Sequence, residues 1–175
     1  EETEPGDGWN YGIFLSKLKD LSDEGIAKAA VDGYIAGYSY SNTGATLAAA
    51  RADKAVQLRA LLDQWADLAM TQDKAKLLEA ARGSLGFGGA DSRDLLDFLS
   101  IAGTKVPALK AKGDEIAAFF NGSMLIKNGT SGDSYKKATG MGVFLPLYSF
   151  DANYSKMAMS KDGRWDEFAQ WLLAK

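Results

Sequence analysis

The chain has 175 residues, 46% hydrophobic and 25% charged, a balance too apolar for disorder and long enough to bury a sizeable core in one domain. Its 20 basic and 23 acidic residues leave a formal charge of −3; with no basic run longer than two, nothing predicts a surface that attracts phosphate backbones. There is no cysteine and no histidine, which removes the thiol nucleophile, disulfides and the commonest general base and metal ligand, leaving carboxylates, Lys, Tyr or Ser for any chemistry of its own.

The opening residues 1–9 are acidic and turn-rich, with Pro5-Gly6-Asp7-Gly8 marking an irregular loop. Tyr11, Phe14, Leu15 and Leu18 then fall at helical spacing, and Ser22 starts a second helix with Ala27, Val31, Tyr34, Ile35 and Tyr38 on one face. Ser41-Asn42-Thr43-Gly44 breaks the pattern, and residues 46–50 read equally as a short strand or as the lead into the next helix. That helix carries a wide apolar stripe of Val56, Leu58, Leu61, Leu62, Trp65, Leu68 and Ala69.

A further helix is expected over 73–82, ended by the glycine-rich stretch 83–89. Ser92 can cap a helix holding Leu95, Leu96, Phe98 and Leu99. Pro107 suits the first turn of the next one, which is expected to run to about Ile126 with Leu109, Ile116 and Phe120 inside. Residues 128–137 read as a polar loop, residues 141–146 as a short buried strand stopped by Pro146, and Trp165, Phe168, Ala169 and Leu172 as a last helix. One short strand makes no sheet, so its neighbours are expected in upstream polypeptide. The longest apolar stretches fall far short of the roughly 20 residues that span a bilayer, so no membrane span is expected.

Few segments suggest chemistry. The glycine-rich 83–89 stretch lacks the Lys-Ser/Thr of a phosphate loop. Asp91, Asp94 and Asp97, three apart at a helix start, read as a solvated acidic face beside the helix dipole, without the ligand spacing of a calcium loop. Asn121, Asn128 and Asn153 open glycosylation-type triplets, a pattern short enough to arise by chance. For the opening loop two readings stay open. It is an exposed acidic turn, or a rigid loop that projects Asp7 from between two glycines into a pocket walled by Trp9. In the second case the carboxylate would favour Arg or Lys in a ligand.

The string Glu1-Glu2-Thr3-Glu4-Pro5-Gly6-Asp7-Gly8-Trp9-Asn10-Tyr11 resembles the region after the nucleophile in clostripain-like cysteine peptidases. Val31-Asp32-Gly33-Tyr34 is similar to a helix of that family, and Thr46-Leu47-Ala48-Ala49 to its Thr-Leu-Ser-Ala stretch. Ala138-Thr139-Gly140-Met141-Gly142-Val143-Phe144-Leu145-Pro146 resembles a segment usually reading Ala-x-Gly-x-Ser-Ile-Tyr-Phe-Pro, followed by Tyr154 and Trp165-Asp166-Glu167-Phe168. The resemblance runs from residue 1 to about residue 172, with the middle third matched only by its helical pattern.

The resemblance implies the C-terminal, mostly helical portion of a caspase-like α/β/α fold, contributing a few short strands to a sheet completed upstream. Residues 1–11 would be the substrate-pocket loop, 12–137 mostly helical, and 138–175 a short strand and terminal helix. It implies a cysteine endopeptidase, often self-processed into associated chains, that cleaves after Arg or Lys. Asp7 would bind the basic side chain and Trp9 wall the pocket. His and Cys would lie on missing upstream polypeptide or on an N-terminal partner chain, and this chain would hold no catalytic residue. No cofactor is expected, with calcium implied by the resemblance alone, and the location would be secreted or envelope-exposed. The start at Glu1, with no Met and no signal-like segment, is expected to be a processed or trimmed end. A non-catalytic helical interaction module derived from such a peptidase is the alternative.

Overall fold

A computed structural model describes residues 2–3, 9–39, 44–89 and 91–174. It is a mixed α/β arrangement dominated by helices, with two small antiparallel sheets. In chain order these are β1 (Glu2–Thr3), α1 (Asp23–Tyr38), β2 (Ala45–Ala50), α2 (Ala55–Ala69), α3 (Lys74–Gly83), β3 (Ser92–Asp94), α4 (Leu95–Lys105), α5 (Lys110–Phe119), β4 (Leu125–Ser131), β5 (Gly142–Phe144), α6 (Ala158–Lys161) and α7 (Trp165–Leu173).

The first sheet has the order β1-β2-β4. Glu2 lies opposite Leu47 and Thr3 opposite Thr46, while β2 and β4 run from Ala45 opposite Ser131 to Ala50 opposite Leu125 with a register shift after Ala49. Helix α1 covers this sheet so closely that a Cβ on Gly129 of β4 would fall 2.6 Å from Ile35 and 2.8 Å from Val31. Only a residue without a side chain allows that approach. The result is a small core of Tyr34, Tyr38 and Ala45, flanked by Trp9, Ile35 and Leu47.

The larger core lies among α2, α3, α4, α5 and α7. Trp65, Phe98, Trp165 and Phe168 are all 0% exposed at its centre, with Trp65 meeting the other three rings at centroid distances of 5.5, 6.2 and 5.2 Å. The apolar stripe expected on α2 is there, with Leu58, Leu62, Trp65, Ala66 and Ala69 buried, but Val56 stays 67% exposed one residue into the helix.

Several sequence expectations need correction. Residues 11–18 form two three-residue 3-10 turns, not an α-helix. No side chain caps either turn, Phe14 breaks the helical angles at φ −123° between them, and Asp20 at φ 61° turns the chain into α1. Ser22 does cap α1, accepting from the Gly25 amide at 3.2 Å. Helix α4 is capped by Asp94, while Ser92 lies in β3.

The helix expected to reach Ile126 ends at Phe119, closes with a π-turn at Phe120–Met124 and passes directly into β4. Four of the ten residues of the expected 128–137 loop, 128–131, are therefore strand. Pairing with β2 supplies the backbone partners that a Lys-Asn-Gly-Thr-Ser composition does not advertise. Residues 46–50 are a strand, which settles that open choice. The strand expected over 141–146 is β5, and its partner is not absent: β3 pairs with it within this chain, Arg93 opposite Val143.

Candidate functional site

The opening loop was the candidate substrate pocket, and the described residues bracket it. On one side Glu2–Thr3 is held by β2. On the other, half-buried Trp9 packs on Tyr34 of α1 at 5.0 Å, edge-on to Phe14 at 5.7 Å and stacked with Tyr11 at 5.8 Å and 22°. Asp7 falls at a position outside the described residues, so only Trp9 of the two expected ligand-binding residues has a described setting.

Trp9 owes its place to a close approach beneath it. Phe14, 6% exposed, sits over Gly33 of α1, where an added Cβ would lie 2.4 Å from the Phe14 Cβ. Gly33→Ala is therefore expected to push Phe14 and Trp9 outward, costing about 1–3 kcal/mol. Urea unfolding reads the loss and limited proteolysis reads earlier cutting between residues 9 and 21. An unchanged midpoint and digestion pattern would mean that this aromatic cluster does not depend on the approach.

The acidic trio at the start of α4 is a second candidate; Asp91 is exposed as its spacing suggested, but Asp97 is half-buried and Asp94 is not solvated at all. Asp94 is 0% exposed. Its Oδ1 accepts from the Thr139 hydroxyl at 2.6 Å and the Asp97 amide at 3.0 Å, and its Oδ2 accepts from the Thr139 amide at 2.7 Å. Asp97 in turn accepts from the Leu85 amide at 2.7 Å. Burial pushes the Asp94 carboxyl above its ordinary value, against the opposing pull of the Thr139 and Asp97 hydrogen bonds.

This node fastens the 139–145 segment to the α3–α4 connection, alongside the β3–β5 pair and a Leu145 amide bonded to the Asp91 carbonyl at 2.8 Å. The sequence carried one signal for it. Asp94 followed three residues later by Asp97, with Leu95 and Leu96 between them, is the pattern of a capping residue. Nothing local pointed to Thr139, 45 positions away.

Beside β5 runs an apolar groove of about 470 Å³ with Leu58, Met124, Met141, Phe144, Tyr154 and Met157 among its lining. Burial, with Asp166 adding to it, pushes the Tyr154 hydroxyl above its ordinary value. Such a groove can hold apolar groups but has no nucleophile and base aligned within it. Among the described residues no three acidic side chains gather as metal ligands, and no helix is long and apolar enough to cross a membrane. No family model, curated protein or solved structure matches the chain.

Proposed function

We propose that the chain is the C-terminal, specificity-bearing portion of a caspase-like cysteine endopeptidase that cleaves after Arg or Lys. The observation that carries this reading is a pairing. Glu2–Thr3 and Thr46–Leu47, two of the segments that resemble clostripain-like peptidases, are antiparallel neighbours in one sheet. That pairing ties the residues just before the opening loop to the Thr-Leu segment, which is what the reading needs of a rigid loop base.

In this reading the chemistry is divided. A thiolate on an N-terminal partner chain attacks the scissile carbonyl, a His there transfers protons, and backbone amides hold the oxyanion. This chain has no Cys or His and supplies the choice of substrate. Asp7 receives the basic side chain by charge-assisted hydrogen bonds, two in parallel for Arg. Trp9, seated on Tyr34 and Phe14, forms the wall. The pieces stay together by packing after self-processing, in a secreted or envelope-exposed enzyme. Calcium enters through the family likeness alone.

Asp7→Asn in the complete enzyme is expected to lower kcat/KM for Arg and Lys substrates by roughly 10- to 100-fold, the worth of one charge-assisted hydrogen bond. Unchanged preference for basic residues would remove Asp7 from the pocket.

A second reading, a non-catalytic helical module derived from such a peptidase, is favoured by the larger core, which Trp65, Phe98, Trp165 and Phe168 fill from within this chain. Intact mass and N-terminal sequencing of the purified protein separate the two. A companion segment with Cys and His supports the peptidase, and a protein without them supports the module.

A further inference from the structure

We propose that the groove between α3 and α7 docks a linear peptide that presents apolar side chains flanked by carboxylates. This proposal stands apart from the peptidase reading and holds for either function above.

The groove measures about 510 Å³. Its floor is apolar, with Leu147 and Leu172 buried at 8% and 1% exposure and Leu78 half-buried beside them. One wall is Tyr148, which is 80% exposed. That ring is not on a loose tip, because Leu145, Pro146 and Leu147 immediately before it are all buried. A large exposed tyrosine lining one groove with an arginine is the composition in which binding energy concentrates at protein interfaces, and the leucine floor adds apolar surface to bury.

The charge on the rim selects the occupant. Lys74 of α3 donates to the Ala174 carbonyl at 2.9 Å and lies 5.3 Å from the centre of the Trp171 ring, contacts that hold the ammonium without neutralising it. Arg82, exposed in the last turn of α3, forms no ion pair among the described residues. The acids on the same helix are already engaged. Glu79 bonds to Lys105 at 2.9 Å, and Asp73 caps the helix with Lys76 alongside. A positive groove on a chain of net charge −3 therefore complements carboxylates. The leucine floor requires apolar groups between them.

The test is fluorescence anisotropy on the purified protein, with any companion chain it carries. The probe is a labelled ten-residue peptide containing two leucines flanked by glutamates, and the control is the same peptide with lysine flanks. Saturable binding of the acidic peptide alone, weakened by salt, is expected. Arg82→Glu and Tyr148→Ala should each weaken it about tenfold or more, whereas Arg82→Lys should keep most of it. Both side chains are exposed, and circular dichroism verifies that the variants fold.

The proposal is overturned if neither peptide binds, if the lysine peptide binds as well, or if Arg82→Glu leaves binding unchanged. It is equally overturned if anionic phospholipid vesicles bind and displace the acidic peptide from a protein whose Tyr148→Ala variant behaves as wild type.

Discussion

Asp94→Ala is expected to cost the fold about 3–5 kcal/mol. Three donors converge on this carboxyl, the Thr139 amide, the Thr139 hydroxyl and the Asp97 amide. A buried donor left unsatisfied costs about 1–3 kcal/mol; the hydroxyl can rotate away, but the two amides cannot. The loss should fall on one region, because the same carboxyl caps α4 and fastens Thr139 beside the β3–β5 pair. Urea unfolding measures the total, and hydrogen exchange should show residues 139–145 losing protection first. A loss below 1 kcal/mol would mean that water reaches these donors when the carboxyl is gone.

The same residue sets a pH dependence of definite sign. Its folded pKa is raised above the ordinary 3.8, chiefly by burial. In the window between 3.8 and the raised folded value, the native state thus holds more proton at Asp94 than the unfolded chain does. This contribution to stability is full below 3.8 and is lost as pH rises through the folded value. Glu24, held below its ordinary value by Lys28 and Arg51, and Glu79, held down by Lys105, act in the opposite direction. Comparing Asp94→Asn with wild type across mildly acidic pH cancels those shared terms. The wild type should lose stability relative to the variant as pH rises.

Most helices were readable before the structure because their signals are local. Ser22 as a cap, the stripe from Leu58 to Ala69 and Pro107 at a helix start each depend on residues within a few turns, and each is where it was expected. Expectations failed where distant contacts decided the outcome. β4 is a strand because β2 lies beside it, although its composition is that of a loop. Residues 11–18 keep helical spacing in their apolar side chains, yet the packing of Phe14 over Gly33 and the turn at Asp20 leave only isolated 3-10 turns.

The acidic trio illustrates the same limit on the site. Spacing can place three carboxylates near a helix start, but only tertiary structure brings Thr139 to one of them and turns a solvated position into a fully buried one. Of the opening loop's two expected binding residues, only Trp9 has described packing. Trp9 is held by partners that lie 5 and 25 positions away, Phe14 and Tyr34.

Trp65 and Trp165 share one core and should nevertheless respond differently to the same substitution. Trp65→Ala removes a fully buried ring packed on Phe98, Trp165 and Phe168, and is expected to cost about 3–5 kcal/mol. Trp65→Phe should cost well under half of that. Its indole N–H is buried with no hydrogen-bond partner among the described residues, so the smaller ring loses area but also removes an unsatisfied donor. Trp165 is the reverse case. Its indole donates to the Phe144 carbonyl at 2.7 Å, linking α7 to β5. Trp165→Phe loses the same area and additionally strands that carbonyl, adding about 1–3 kcal/mol. Chemical unfolding of the two phenylalanine variants therefore separates packing from hydrogen bonding in one hydrophobic core. Equal losses would mean that the Trp165 bond contributes nothing net to stability.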